Sequence, residues 1–106
     1  MKRYKPEPIT LLWEHPDKTG NVVFNVYLID EIQGQTTQIA NHTRDSVIGE
    51  GFSIVVQFRK AGQYRLEVEA YDKAANIFSE RVKTESFLWG DYLAPPLNLQ
   101  VIQAGA

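Results

Sequence analysis

The sequence predicts an all-β fold, an antiparallel β-sandwich, on three observations. Tyr64 to Ala70 alternates, with Tyr64, Leu66, Val68 and Ala70 on one side and Arg65, Glu67 and Glu69 on the other. That is the period-2 pattern of a strand with one face buried and one face wet. On a helix the three charged residues would interrupt every apolar face. The same alternation returns in several short stretches bounded by turn residues. No stretch carries helical spacing, and short strands without helices pack as layered sheets.

The strands follow in order. Residues 1–8 carry charges and prolines before any alternation begins and read as an arm or a short edge strand, because proline cannot donate to a ladder. Ile9, Leu11 and Trp13 share one face of a first strand that ends at His15-Pro16. Asp17 to Asn21 is a loop, in which Gly20 and Asn21 tolerate positive φ. Val22 to Ile29 forms the next strand, with Phe24, Val26 and Leu28 facing one way and the apolar Val23, Tyr27 and Ile29 facing the other. Asp30 to Gly34 turns the chain into Gln35–Ala40, a polar, Thr- and Gln-rich strand of edge character. Residues 41–51 read as loop.

Phe52, Ile54, Val56 and Phe58 then alternate with Ser53, Val55, Gln57 and Arg59, and Lys60-Ala-Gly62 turns into the Tyr64–Ala70 strand. Asp72 to Asn76 closes that strand as an Asx-type turn. Ile77 to Thr84 is expected as the last strand, anchored by Phe78 and Val82, with Arg81 and Lys83 lying across from Glu67 and Glu69. Beyond Thr84 the pattern lapses into an aromatic, aperiodic stretch. Pro95-Pro96 is stiff and extended, and Leu97, Leu99 and Val101 alternate once more as a strand after a linker. The organisation is thus an arm over 1–8, a sandwich over 9–92, and a Pro-containing linker with a terminal strand or tail over 93–106.

Composition bounds the function. A chain of 106 residues fits one domain. Its 43% hydrophobic content, with five Phe, five Tyr and two Trp, is that of a folded chain. Eleven basic and thirteen acidic residues of mixed order leave a formal charge of −2, so no field gathers nucleic acid or an anionic membrane. The lack of cysteine excludes disulfides, thiol catalysis and cysteine-ligated metals. No apolar run approaches the length of a membrane span, and the basic start leads into Pro6 and Pro8 rather than into an apolar signal region.

The ordered set of residues resembles the fibronectin type III family, among the immunoglobulin-like β-sandwiches. Trp13 and Pro16 stand where that family has a core Trp followed three residues later by Pro. Phe24, Val26 and Leu28 match its third strand. Phe58, Gly62, Tyr64, Leu66, Val68 and Ala70 match its sixth, with Tyr64 in the place of the tyrosine corner. Ala70-Tyr-Asp-Lys-Ala-Ala-Asn76 is similar to the strand ending of bacterial members, with Ala75 where Gly is usual. The likeness spans roughly residues 9 to 84. Only twelve residues precede Trp13, fewer than the family's first strand takes, whereas Pro95 to Val101 looks like that strand displaced to the C-terminus.

The resemblance implies a non-catalytic module of a multidomain bacterial or phage protein, at a cell surface, secreted or in a phage tail, that acts as a spacer and protein-interaction unit. Its implied core is Trp13, Phe24, Val26, Phe58, Tyr64, Leu66 and Val68. The implied partners are neighbouring domains of the chain or assembly, a cell-surface protein or a glycan, with no nucleic acid and no membrane span.

No residue set asks for a cofactor, a metal or catalysis. His15 and His42 are the only imidazoles, too few for a zinc site unaided. Asp72 and Asn76 lack the acidic density of a calcium loop. Ser46, Ser53, Ser79 and Ser86 have no His and Asp arrangement beside them. Asn41-His42-Thr43 fits the glycosylation sequon in what reads as a loop. The candidate interaction surface consists of Tyr27, Tyr71, Trp89 and Tyr92, and the second function carried forward is a carbohydrate-binding module built on these aromatics.

Overall fold

Tyr64 and its alternating neighbours form the middle of the longest strand, and the other strands are arranged about it. The computed structural model describes residues 1–17, 19–44, 51–103 and 105. Among the described residues there are nine strands: β1 (Lys2–Tyr4), β2 (Ile9–Glu14), β3 (Val22–Asp30), β4 (Gln35–Thr43), β5 (Gly51–Val56), β6 (Gly62–Asp72), β7 (Ile77–Phe78), β8 (Val82–Lys83) and β9 (Phe87–Trp89). They make a seven-stranded sheet in the order β1-β9-β6-β3-β4, with β7 and β8 also paired to β6, and a two-stranded sheet of β2 and β5. The fold is all-β, as expected.

Period-2 alternation sets the two faces of the large sheet. Phe24 lies opposite Ala70, Val26 opposite Val68 and Leu28 opposite Leu66, and this side meets the small sheet. There Ile9 pairs with Val56, Leu11 with Ile54 and Trp13 with Phe52. The core forms two clusters. Val56, Tyr64, Leu66 and Phe87 gather one of them, with Phe58, Ile9 and Leu11 packed against it. Val22, Phe24 and Phe52 gather the other, with Trp13, Val68 and Ala70 beside them. Trp13 therefore packs edge-on to Phe24 at 5.4 Å and stacked on Phe52 at 6.3 Å. Val68 is in its cluster, whereas Tyr64 and Leu66 of the implied core belong to the other one.

Turn chemistry closes the hairpins. Asp30 Oδ1 accepts the amides of Ile32 and Gln33 before Gly34 turns left-handed at φ 68. Asp72 Oδ1 accepts those of Ala74 and Ala75, and Asn76 follows at φ 54. The Tyr64 hydroxyl donates to the Lys60 carbonyl at 2.8 Å, pinning the turn into β6. A Cβ on Gly62 would stand 3.2 Å from the Tyr64 ring, a tight contact that favours glycine there.

Several boundaries differ from the sequence expectation. β4 runs on through Thr43, because the Asn25 side chain accepts the His42 amide at 2.9 Å where the β3–β4 register shifts. Asn41 is thus on a strand rather than in a loop, and residues 45–50 of the expected loop, with Ser46, lie outside the described residues. β5 stops at Val56, short of Arg59.

The expected final strand is broken into β7 and β8, which follow one another along a single edge of β6 with β9 beyond them. Hydroxyls complete the ladder at the breaks: Ser79 Oγ accepts the Ala70 amide and Thr84 Oγ1 accepts that of Leu66. Phe78 and Val82 are not buried anchors, being 55% and 75% exposed. Phe78 lies on the outer face beside Tyr71, and Val82 faces a seam that the two-stranded sheet is too narrow to cover.

Phe87–Trp89, read as aperiodic, is a strand, and the N-terminal arm pairs with it in parallel as β1. Leu97, Leu99 and Val101 form no strand and are 82%, 94% and 99% exposed.

Candidate functional site

The outer face of the large sheet brings chemistry-bearing side chains together. Register places Asn25 opposite Glu69, Tyr27 opposite Glu67 and Ile29 opposite Arg65, and β8 sets Lys83 opposite Glu67. Two carboxylates two residues apart on one strand face would repel, so each is matched by cations and donors. Glu67, only 4% exposed, receives Arg65 Nε at 2.9 Å and Arg81 Nη1 at 3.3 Å. Glu69 accepts the Tyr27 hydroxyl at 2.7 Å and Asn25 Nδ2 at 3.1 Å, with Arg81 Nε at 3.5 Å. Arg65 also reaches Glu31 at 3.1 Å. Arg81 and Lys83 thus stand across from Glu67 and Glu69 as the sequence implied.

Electrostatics follow from these contacts. Burial alone would raise the Glu67 pKa, but hydrogen bonds from Arg65 and Arg81 outweigh it and hold the group below the ordinary carboxylate value. Glu69 is lowered in the same way, burial being offset by hydrogen bonds from Tyr27 and Asn25 and by the charge of Arg81. The Tyr27 hydroxyl is pushed up, first by its bond to Glu69 and then by burial. All these groups are satisfied by one another. The network ties β3 and β6 to the connection between β7 and β8.

The four aromatics proposed for binding are placed differently from one another. Tyr27 is half-buried under Arg81, whose guanidinium carbon is 3.7 Å from the ring centroid. Tyr71 is stacked between Phe78 at 4.4 Å and His42 at 5.1 Å, and its hydroxyl donates to Asn76. Trp89 stacks on Phe58 at 4.9 Å and donates Nε1 to the Glu7 carbonyl, so it closes one end of the core. Tyr92 is half-buried just past β9. The four do not form one patch. Phe78, which sequence reasoning assigned to the core, is the aromatic that Tyr71 presents to solvent.

The histidines have structural partners. His15 Nδ1 accepts the Asp17 amide, and its ring lies edge-on to Phe24. Asp17 is the hub of its loop. Its carboxylate accepts the Thr19 hydroxyl and amide and the amides of Gly20 and Val22, and it pairs with Arg44 at 3.2 Å. These bonds, led by that of the Thr19 hydroxyl, lower its pKa from 3.8 to about 2. Among the described residues no three His, Cys, Asp or Glu side chains gather as a metal site, and no helix is long and apolar enough to cross a membrane.

Openings lie along both sides of the seam between the sheets. One of about 520 Å³ on the β4 side is rimmed by polar groups such as Asp30, Gln33, Arg59 and Lys60. On the β2 side, a groove of about 320 Å³ includes Tyr4, Ile9, Leu11, Leu66 and Phe87. A second one there, of about 270 Å³, includes Trp13, Phe24, Val68, Ala70 and Val82. Comparison of the chain with protein-family models, with curated proteins and with solved structures finds no match.

Proposed function

We propose that the chain is a fibronectin type III-like, non-catalytic module that serves as spacer and protein-interaction unit in a larger bacterial or phage surface, secreted or tail protein. One observation carries this reading. The polar groups of the outer face are spent on one another across β3, β6 and the connection between β7 and β8, while among the described residues apolar side chains along the seam and in the tail lack a cover. Such a molecule offers rigid surfaces and strand edges to a protein partner rather than a pocket to a small substrate. The order and spacing of Trp13, Pro16, Tyr64, Leu66, Val68 and Ala70 support the family assignment.

A second reading, a carbohydrate-binding module, is favoured by the Phe78 ring exposed on Tyr71 and His42, since a sugar can stack on such a face. A glycan array probed with the full chain separates the two. No specific glycan is expected to bind, and binding abolished by Phe78→Ala would replace the interaction reading with the carbohydrate one.

A further inference from the structure

We propose that Leu97–Ile102 of one copy of this chain docks as an added strand on the free edge of β2 in a second copy. Among the described residues β2 hydrogen-bonds to β5 alone, so its other edge is unpaired. Such an edge is a template for another strand. Beside it the seam between the sheets is open, and Trp13, Phe24, Val68, Ala70 and Val82 line it together with Glu14, His15 and Ser79. Val82 is 75% exposed there, and a strand added to β2 would extend the narrow sheet over it.

The tail has the complementary defect. Leu97, Leu99 and Val101 alternate with Asn98, Gln100 and Ile102 and are 82%, 94% and 99% exposed. Their spacing of about 7 Å per two residues repeats that of the inward-facing Ile9, Leu11 and Trp13 on β2. Residues 93–103 carry no charge, so the tail itself brings none to be desolvated.

The tail does not fill its own groove. The longest dimension of the chain, 72 Å, is more than the eleven residues of β6 account for at about 3.4 Å each. Pro95 and Pro96 stiffen the departure from β9 and offer no amides to a ladder. Asn98 is left-handed at φ 57 in the unpartnered chain and extends on docking. Because the donated segment and the receiving edge are different surfaces, the contact is heterologous.

This rests on the protein-interaction reading and narrows the partner to another copy. The test is complementation between full-length variants. Leu99→Asp spoils the tail and keeps the groove, whereas Val82→Glu spoils the groove and keeps the tail. In sedimentation velocity the unaltered chain should self-associate somewhere between about 10 µM and about 1 mM, the range of weak interfaces. Each variant alone should stay monomeric, and an equimolar mixture of the two should form dimers and nothing larger. A monomeric unaltered chain, self-association by either variant, or a mixture that stays monomeric would overturn the proposal. Hydrogen exchange distinguishes the remaining case: protected Leu99 and Val101 amides in a monomer would mean that the tail closes on its own groove, which also overturns it. Glycan binding on the array bears on the interaction reading alone, so failures of the two claims are separable.

Discussion

The guanidinium of Arg81 stands 3.7 Å from the centroid of the Tyr27 ring while its Nη1 reaches Glu67 and its Nε reaches Glu69. One side chain from the connection between β7 and β8 therefore pairs with two carboxylates and covers an aromatic ring on β3. Arg81→Ala leaves buried Glu67 with Arg65 as its remaining bonded cation and uncovers Tyr27, and should lower stability by about 1–3 kcal/mol. Lysine at this position should recover only part of the loss, since an ammonium cannot reach both carboxylates in a fork. Urea midpoints of the three proteins, at unchanged slope, check this. Equal midpoints for Arg81→Ala and the unaltered chain would refute it.

Stability should fall in acid. Glu67, Glu69 and Asp17 all have folded pKa values below their ordinary ones, Asp17 at about 2. For a depressed carboxylate the unfolded state binds the proton first, so the stabilisation is complete above the unfolded value and disappears as pH drops through the folded value. The melting temperature should hold steady down to about pH 5 and then decline towards about pH 2. The double variant Glu67→Gln with Glu69→Gln should start lower and decline less steeply. A decline as steep as that of the unaltered chain would place the titrating groups elsewhere.

Trp13 is half-buried between Phe24 and Phe52, in contact with the cluster that includes Val68 and Ala70. Trp13→Ala should cost about 3 kcal/mol, a large part of the stability of a domain this size. Trp13→Phe keeps most of the packing and also removes the indole N–H, unpaired among the described residues, so it should cost clearly less. Thermal unfolding of both variants tests the ranking, and a loss for Trp13→Phe as large as that for Trp13→Ala would refute it.

The Tyr64 hydroxyl and Gly62 hold one turn from two directions. Tyr64→Phe removes the bond to the Lys60 carbonyl and should cost about 0.5–1.5 kcal/mol. Gly62→Ala drives a methyl against the same ring and should be destabilising as well. Because the two act on one contact, the double variant should fall short of the sum of the singles. Additive losses from denaturation curves would separate the two effects.

Alternation made β2, β5 and β6 legible because each has a core face and a wetter face long enough to show the period, whereas β3, buried on much of both faces, was legible as an apolar run between two turns. β1 was legible only as an arm or a short edge strand, and β9 was not legible. Each has three residues, and their pairing is parallel and made with the opposite end of the chain, which no local pattern encodes. Phe78 and Val82 were misassigned for a related reason: the period gives the face on which a side chain lies but not the width of the sheet opposite. Sequence also identified the aromatics without their partners. That Tyr27 is covered by Arg81 and Trp89 by Phe58 depends on register across strands far apart in sequence. The reach of Arg81 and Lys83 to Glu67 and Glu69 was readable, because a hairpin fixes its own cross-strand pairs.

The parallel pairing of β1 with β9 determines how the domain responds to tension. A load applied between the first residues and the chain beyond Trp89 pulls β1 backwards and β9 forwards along their own axes. The ladder is then sheared, and its bonds share the force instead of parting in succession. The Gly90 amide on the Tyr4 carbonyl, Arg3 Nη1 on the Gly90 carbonyl and the Trp89 indole on the Glu7 carbonyl lie in the same clasp. Single-molecule extension should show one high rupture event, and Arg3→Ala should lower its force while leaving chemical stability almost unchanged. Gradual yielding at low force would mean that the clasp bears no load. A clasp that holds would keep the chain from Lys2 to Trp89 folded, and its length constant, while its two ends are pulled apart.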